Sequence, residues 1–228
     1  RRRQEEHAVE SHRRACRGSD AEDDGIVPVT ALGEAGAPME ALRDQCPRSD
    51  ASLEAFAALE PLFMPAEGSI TAATAAPAGD GAAAAVVMSV AEASRQGVRP
   101  WARIVAGMAV GVAPAATGTA AAEAAGKLLL RAGVGAAEVD LAEVDESFAA
   151  EALYAIDTLG LDPVRVNERG GALAIGHPPG ASGVIMVTRL VRSIRKRGDH
   201  LGVATLGTGL GQGIALLLEN WEACAAGE

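Results

Sequence analysis

Apolar and polar positions alternate in blocks along this chain. Residues 1–17 are polar apart from a narrow apolar stripe through Ala8, Val9 and Ala15, which predicts one amphipathic helix. Residues 18–50 show weak periodicity and many Gly, Pro and acidic positions. An irregular excursion with short strands, such as residues 26–29, is expected there. Ser52 precedes the apolar positions Leu53, Phe56 and Leu59 as an N-capped short helix ended by Pro61. Residues 82–88 form a continuous apolar run between Gly81 and Ser89 and predict a strand buried on both faces. A helix over 90–96 closes at Gly97, and a domain boundary is placed near Val98.

Beyond Val98 strands alternate with helices. Strands are expected over 102–110, 139–144, 201–206 and 213–218. Helices are expected over 119–132 and 147–159, each ended by glycine, and over 181–197. The last two strands, joined by a short turn, should run antiparallel in a mixed sheet. At 228 residues the chain can bury a sizeable core. Only 3% of residues are aromatic against 49% hydrophobic, so that core must be built from close-packed Ala, Val, Leu and Ile.

Thirty acidic against twenty basic residues give a net charge of −10, which argues against nucleic-acid binding. The one basic run, Arg192, Arg195, Lys196 and Arg197, falls at a predicted helix end, where it complements the dipole. No apolar stretch is long enough for a membrane helix. The opening Arg-Arg-Arg-Gln-Glu-Glu lacks the apolar segment of a signal peptide, so a cytoplasmic protein is expected. Cys16, Cys46 and Cys224 are odd in number and widely spaced, which predicts no disulfide framework and no metal site.

Three segments carry candidate chemistry. In Gly170-Gly-Ala-Leu-Ala-Ile-Gly-His177-Pro-Pro-Gly-Ala-Ser-Gly183 a lone histidine sits among glycines and small residues. It either caps a turn or presents its imidazole to a bound molecule. Ser182 lacks the G-x-S-x-G spacing of a hydrolase elbow and is expected in the first turn of its helix. Asp145-Glu-Ser-Phe148 follows a buried strand and opens a helix. Asp145 or Ser147 is expected to cap the free amides and Glu146 to complement the dipole, which leaves Phe148 unexplained. Gly207-Thr-Gly-Leu-Gly-Gln-Gly213 fails the dinucleotide spacing, because its last position falls on Gln212 or Ile214 and a strand follows. An oxyanion-binding turn and a flexible hairpin remain equally open for it.

These three segments, in this order, resemble the signature set of the thiolase family. The likeness extends over nearly the whole chain. The opening Arg3-Gln-Glu-Glu-His-Ala-Val-Glu-Ser-His-Arg-Arg-Ala15 resembles the helix after the family's nucleophile-bearing core. Gly68-Ser-Ile-Thr-Ala72 and Gly79-Asp-Gly-Ala-Ala83 are similar to the segment leading into the last strand of the first half, and Val166-Asn167 and Gly202-Val-Ala-Thr-Leu206 to parts of the second.

The resemblance implies an α/β fold: a layered thiolase-like domain over residues 98–223, a mixed sheet with helices, and an incomplete remnant of the first thiolase half over residues 1–97. It implies an acyltransferase acting on acyl-CoA thioesters, by 3-ketoacyl-CoA thiolysis or Claisen condensation, with the coenzyme A thioester as substrate and no further cofactor. His177 would be the histidine that activates the nucleophilic cysteine, and the Gly209 amide half of an oxyanion hole. Gly207 stands at the family's second cysteine and Asp145 at its water-orienting asparagine. Phe148 and Ala76 belong to the substrate pocket, Ala76 where a serine is usual. With neither catalytic cysteine at a matching position, this chain alone is expected to be inactive. The alternatives are a non-catalytic subunit or acyl-CoA-binding scaffold, or a degenerate product. A strand separated from its family partners predicts a homo-oligomer or pairing with a separately made N-terminal half, if not aggregation.

Overall fold

The structure, a computed structural model, describes residues 1–17, 25–33 and 36–225. Helix α1 (Arg2–Arg17) leads, followed by a hairpin of β1 (Val29–Leu32) and β2 (Pro38–Ala41) and by the short helix α2 (Leu53–Ala57). The hairpin places its first strand three residues later than the pattern suggested. Ser52 caps α2, its hydroxyl accepting from the Ala55 amide at 3.2 Å. The buried face of α1 holds Ala8 and Ala15 as expected, and with them Glu5, Ser11 and His12. Those polar residues face partners, not solvent.

Residues 82–88 do not form the expected strand. They join no ladder, and Val86 and Val87 are 86% and 73% exposed. A strand without a neighbour has no hydrogen bonds to gain, so apolar character alone cannot make one. Helix α3 (Val90–Gln96), capped by Ser89 and closed by Gly97 in the left-handed conformation, follows as predicted.

The remainder is one layered unit: β3 (Ala102–Gly111), α4 (Ala120–Ala132), β4 (Leu141–Val144), α5 (Ala149–Leu159), α6 (Ala172–Ile175), α7 (Ser182–Arg197), β5 (Leu201–Thr208), β6 (Gln212–Asn220) and α8 (Trp221–Ala225). The sheet order is β3-β6-β5-β4. β5 pairs antiparallel with β6 and parallel with β4, and β6 pairs antiparallel with β3, giving the mixed sheet. α4 and α5 cover one face through Ala125, Leu128, Ala152 and Ile156 against Val144, Val203 and Leu217. α7 covers the other through Leu190 and Ile194 against Leu141, Ala204 and Leu218. The main core contains no aromatic side chain.

Two features position the site. β4 is buried along its whole length, so its alternate residues Leu141 and Glu143 turn toward α7 while Ala142 and Val144 enter the main core. The four-residue helix α6 sits inside the glycine-rich segment, where the sequence suggested only loop. At the opposite edge, β3 leaves Ile104 and Val105 about half exposed, and Ile214 of β6, which pairs with Ala109, is equally exposed.

Candidate functional site

The segment carrying His177 is anchored by a buried carboxylate. Glu146 accepts hydrogen bonds from the Ser11 hydroxyl (2.7 Å), the Asn167 side-chain amide (2.8 Å) and the Leu173 backbone amide (3.3 Å), and lies 3.0 Å from His7 Nε2. Burial alone would raise its pKa. His7, Asn167 and Ser11 overcome that and hold it down at about 2. Asn167 also brackets Val144, accepting from its amide and donating to its carbonyl at 2.8 Å each, which ties the segment to the end of β4. This packing demands glycine. A Cβ at Gly171 would stand 2.4 Å from Glu146 Cδ, and one at Gly170 2.4 Å from the Ser11 carbonyl oxygen. Arg189 of α7 closes the other side, donating to the Arg169 and Gly170 carbonyls at 2.7 Å.

His177 lies just beyond, held by its amide to the Pro77 carbonyl (2.8 Å) and by a parallel bridge to Ala78. Its ring faces three polar side chains. Nδ1 is 3.0 Å from Ser182 Oγ and 3.7 Å from Asp145 Oδ1, and Nε2 is 3.4 Å from Ser147 Oγ. The Ser182 hydroxyl donates to the Pro178 carbonyl at 2.9 Å, so toward His177 it acts as an acceptor. Nδ1 is thus turned toward Ser182 and Nε2 toward Ser147. Asp145 is buried and its pKa is raised, burial outweighing the Ser147 hydrogen bond and the nearby imidazole.

Behind Asp145 lies a cavity of ≈ 20 Å3, bordered by Glu143, Asp145, Met186 and Arg189. Its volume is that of about one water. Among the described residues neither Asp145 Oδ1 nor Arg189 Nε has a hydrogen-bond partner. Burial drives the Glu143 carboxyl up to about 7, only partly offset by the Arg189 charge.

The expected capping roles are corrected. Helix α5 is entered through Phe148 without a side-chain cap, while Ser147 donates to Asp145 Oδ2 at 2.7 Å. Asp145 and Ser147 thus engage each other and face His177, while Glu146 turns to α1, Asn167 and Leu173, and none of the three caps α5. Phe148 forms a bridge with Ala75, and the Ala76 amide donates to the Ser147 carbonyl at 3.0 Å, so both expected pocket residues lie on backbone paired around the Asp145–Phe148 segment. Gly207 is near the same end of the sheet, two residues after Thr205, whose carbonyl accepts from the Asp145 amide at 3.0 Å. A Cβ there would meet nothing closer than 3.7 Å. Gly209 is exposed at the tip of the β5–β6 turn, where a Cβ would meet nothing within 4 Å.

The sequence reading did not single out Glu143, Arg189 or the anchoring role of Glu146. A signal existed for the first: a glutamate inside the apolar run Val139–Val144 must be buried against something polar or carry a proton.

The model of the thiolase C-terminal domain matches residues 98–220, and that of the thiolase N-terminal domain matches residues 1–91. The chain belongs to the thiolase family. Over 197 residues it is 44% identical to the acetyl-CoA acetyltransferase of Shinella zoogloeoides, covering 86% of this chain and 50% of that protein. A probable acetyl-CoA acetyltransferase of Escherichia coli (strain K12) is 43% identical over 96% of this chain and 56% of its own length. Among solved thiolase structures, the Bacillus anthracis acetyl-CoA acetyltransferase superposes with a TM-score of 0.91 at 36% identity, over 96% of this chain and 56% of that one. Human mitochondrial 3-ketoacyl-CoA thiolase gives 0.88 at 29% identity, over 96% and 55%. The chain thus spans about half the length of the thiolases it matches. No helix among the described residues is long and apolar enough to cross a membrane.

Proposed function

We propose that this chain supplies the histidine half of a thiolase-type acyltransferase site acting on acyl-CoA thioesters, by 3-ketoacyl-CoA thiolysis or Claisen condensation. The observation that carries the reading is the joint placement of His177, Asp145 and Phe148 where the ends of β4 and β5 meet the glycine-rich segment. In this reading His177 accepts a proton from the nucleophilic thiol of the thiolase half that lies outside these 228 residues, on the same polypeptide or another. Asp145 takes the family asparagine's place. Burial raises its pKa, which weakens the repulsion that an ionised carboxylate would exert on an oxyanion. The Gly209 amide, at the exposed tip of the β5–β6 turn, would supply the other oxyanion donor in this reading.

The partner reading rests on surface chemistry. Val86, Val87, Ile104, Val105 and Ile214 are exposed apolar side chains around an unpaired extended segment and an edge strand. A thiolase N-terminal half or a second copy of the chain would cover them. The division into residues 1–97 and 98–223, and a cytoplasmic location, belong to the same proposal.

A second reading has a specific observation in its favour. By the family resemblance Gly207 stands where the second cysteine would be, and a glycine there carries no thiol to exchange the α-carbon proton. An acyl-CoA-binding subunit without carbon–carbon chemistry would retain the His177 crevice and dispense with that sulfur. Thiolysis of acetoacetyl-CoA separates the two. The 228-residue chain alone is expected to show none. With a thiolase N-terminal half supplied, Gly207→Cys is expected to confer turnover, since a Cβ fits at that position. Activity in the isolated chain would overturn the division of labour. A stable Gly207→Cys complex that binds substrate without turnover favours the binding subunit.

A further inference from the structure

The polar cluster contains an element that thiolysis does not use. Ser147 is partly accessible, and its Oγ stands 3.4 Å from His177 Nε2, the ring nitrogen opposite the one beside Ser182. Asp145 faces the opposite ring nitrogen at 3.7 Å and accepts from Ser147 at 2.7 Å. A hydroxyl and an imidazole are therefore adjacent, as in a serine–histidine pair, with Ser182 on the far ring nitrogen and Asp145 bonded to the Ser147 hydroxyl. Rotation of the Ser147 hydroxyl by one staggered well exchanges the Asp145 acceptor for Nε2.

We infer that Ser147 is a nucleophile and that this chain hydrolyses acyl thioesters through an acyl-Ser147 intermediate. Ser147 Oγ forms a bond to the thioester carbonyl carbon while its proton passes to His177 Nε2. The C–S bond then breaks, and the imidazolium returns that proton to the departing sulfur, releasing free thiol. Water attacks the serine ester next. Nε2 takes the water's proton and delivers it to Ser147 Oγ as the ester bond breaks. The balance is thioester plus water to carboxylic acid plus thiol, with no oxidant or further reactant. Ser182 holds the ring through Nδ1 at 3.0 Å, and Asp145 Oδ1 stands 3.7 Å from the same nitrogen. The chemistry requires no sulfur from the protein, which suits a chain with glycine at position 207. The choice of an acyl-CoA as the thioester rests on the function proposed above.

The test uses the 228-residue chain and acetyl-CoA. Free thiol release is followed, and the protein is digested and mapped for acetyl groups. Binding of acetyl-CoA is measured in parallel by calorimetry. Acetyl on the peptide containing Ser147, with thiol release reduced about 100-fold in Ser147→Ala and in His177→Gln, is the expected result. Ser147→Cys restores acylation and shows that the Ala variant failed through its lost nucleophile, not its fold. Binding without acylation, acetyl found on Cys46 or another side chain, or equal release by wild type and Ser147→Ala overturns the inference and leaves the acyl-CoA site standing. Absence of acetyl-CoA binding together with absence of release overturns both.

Discussion

Glu146→Gln is the substitution that bears hardest on the architecture of the site. The change keeps shape and removes charge. Four groups converge on the carboxylate, from α1 (His7 and Ser11), from Asn167 and from the start of α6. The Ser11, Asn167 and Leu173 groups are all donors. An amide nitrogen in place of one oxygen would face donors with a donor, so at least one buried pair is lost. Charge-assisted bonds of this kind contribute about 1.5–3 kcal/mol each, and breaking a buried ionic network costs about 3–5 kcal/mol. Linkage gives a compatible figure. A carboxyl held at about 2 in the folded chain, against an ordinary 4.5, contributes roughly 3 kcal/mol of stability. Its sign follows from the lowered pKa: the contribution is complete above pH 4.5 and disappears as pH falls to about 2. Urea unfolding followed by far-UV circular dichroism, at steps between pH 7 and pH 2.5, reads both effects. The variant is expected to be about 3 kcal/mol less stable at pH 7 and to lose the acid-limb slope between pH 4.5 and 2.5. A variant within 1 kcal/mol of wild type, or one that keeps the slope, would refute the claim that Glu146 is the ionised anchor.

Glu143 predicts the opposite sign in another window. Its carboxyl is raised from 4.5 to about 7, so wild-type stability falls by up to about 3 kcal/mol as pH rises through that interval. Glu143→Gln should abolish the fall and exceed wild type in urea midpoint at pH 8, and a variant no more stable than wild type at pH 8 would count against the buried acid. Gly171→Ala drives a methyl into Glu146 and Asn167 and should cost about 1–3 kcal/mol in a thermal or urea melt, whereas a neutral change would mean that the segment is loosely packed. Leu210 is 79% exposed at a φ of +67°, so Leu210→Gly should raise stability by about 1 kcal/mol, and a loss in the same melt would show that the leucine makes a contact that offsets its strain.

The layered α/β half was legible because its signals are local. Helices α3, α4, α5 and α7 each end at a glycine in the left-handed conformation, where the sequence placed their stops, and the closing β5–β6 hairpin is short enough to dictate antiparallel pairing. Residues 82–88 misled because an apolar run records what a segment would bury, not whether a neighbour is present to pair with it. The motif before α5 misled for a related reason. Asp, Glu and Ser ahead of a helix satisfy amides by default, and only the arrival of α1, Asn167 and His177 from distant sequence positions gives them stronger partners. Glu146 is engaged with Ser11, 135 positions earlier, and with Asn167, 21 later, distances over which periodicity carries no information. His177, Asp145, Phe148 and Ala76 were marked by the family motifs. Their hydrogen-bond directions, which decide the imidazole tautomer, required coordinates.

Amide hydrogen exchange, run with and without acetyl-CoA on the 228-residue chain, probes the acyl-thioester crevice where it is said to lie. Slower exchange in residues 145–148 and 170–183 on adding the thioester, with little change on the outer face of α1, is the result expected of a site built around His177. Unchanged exchange across those two segments at saturating acetyl-CoA, or slowing confined to other parts of the chain, would contradict it.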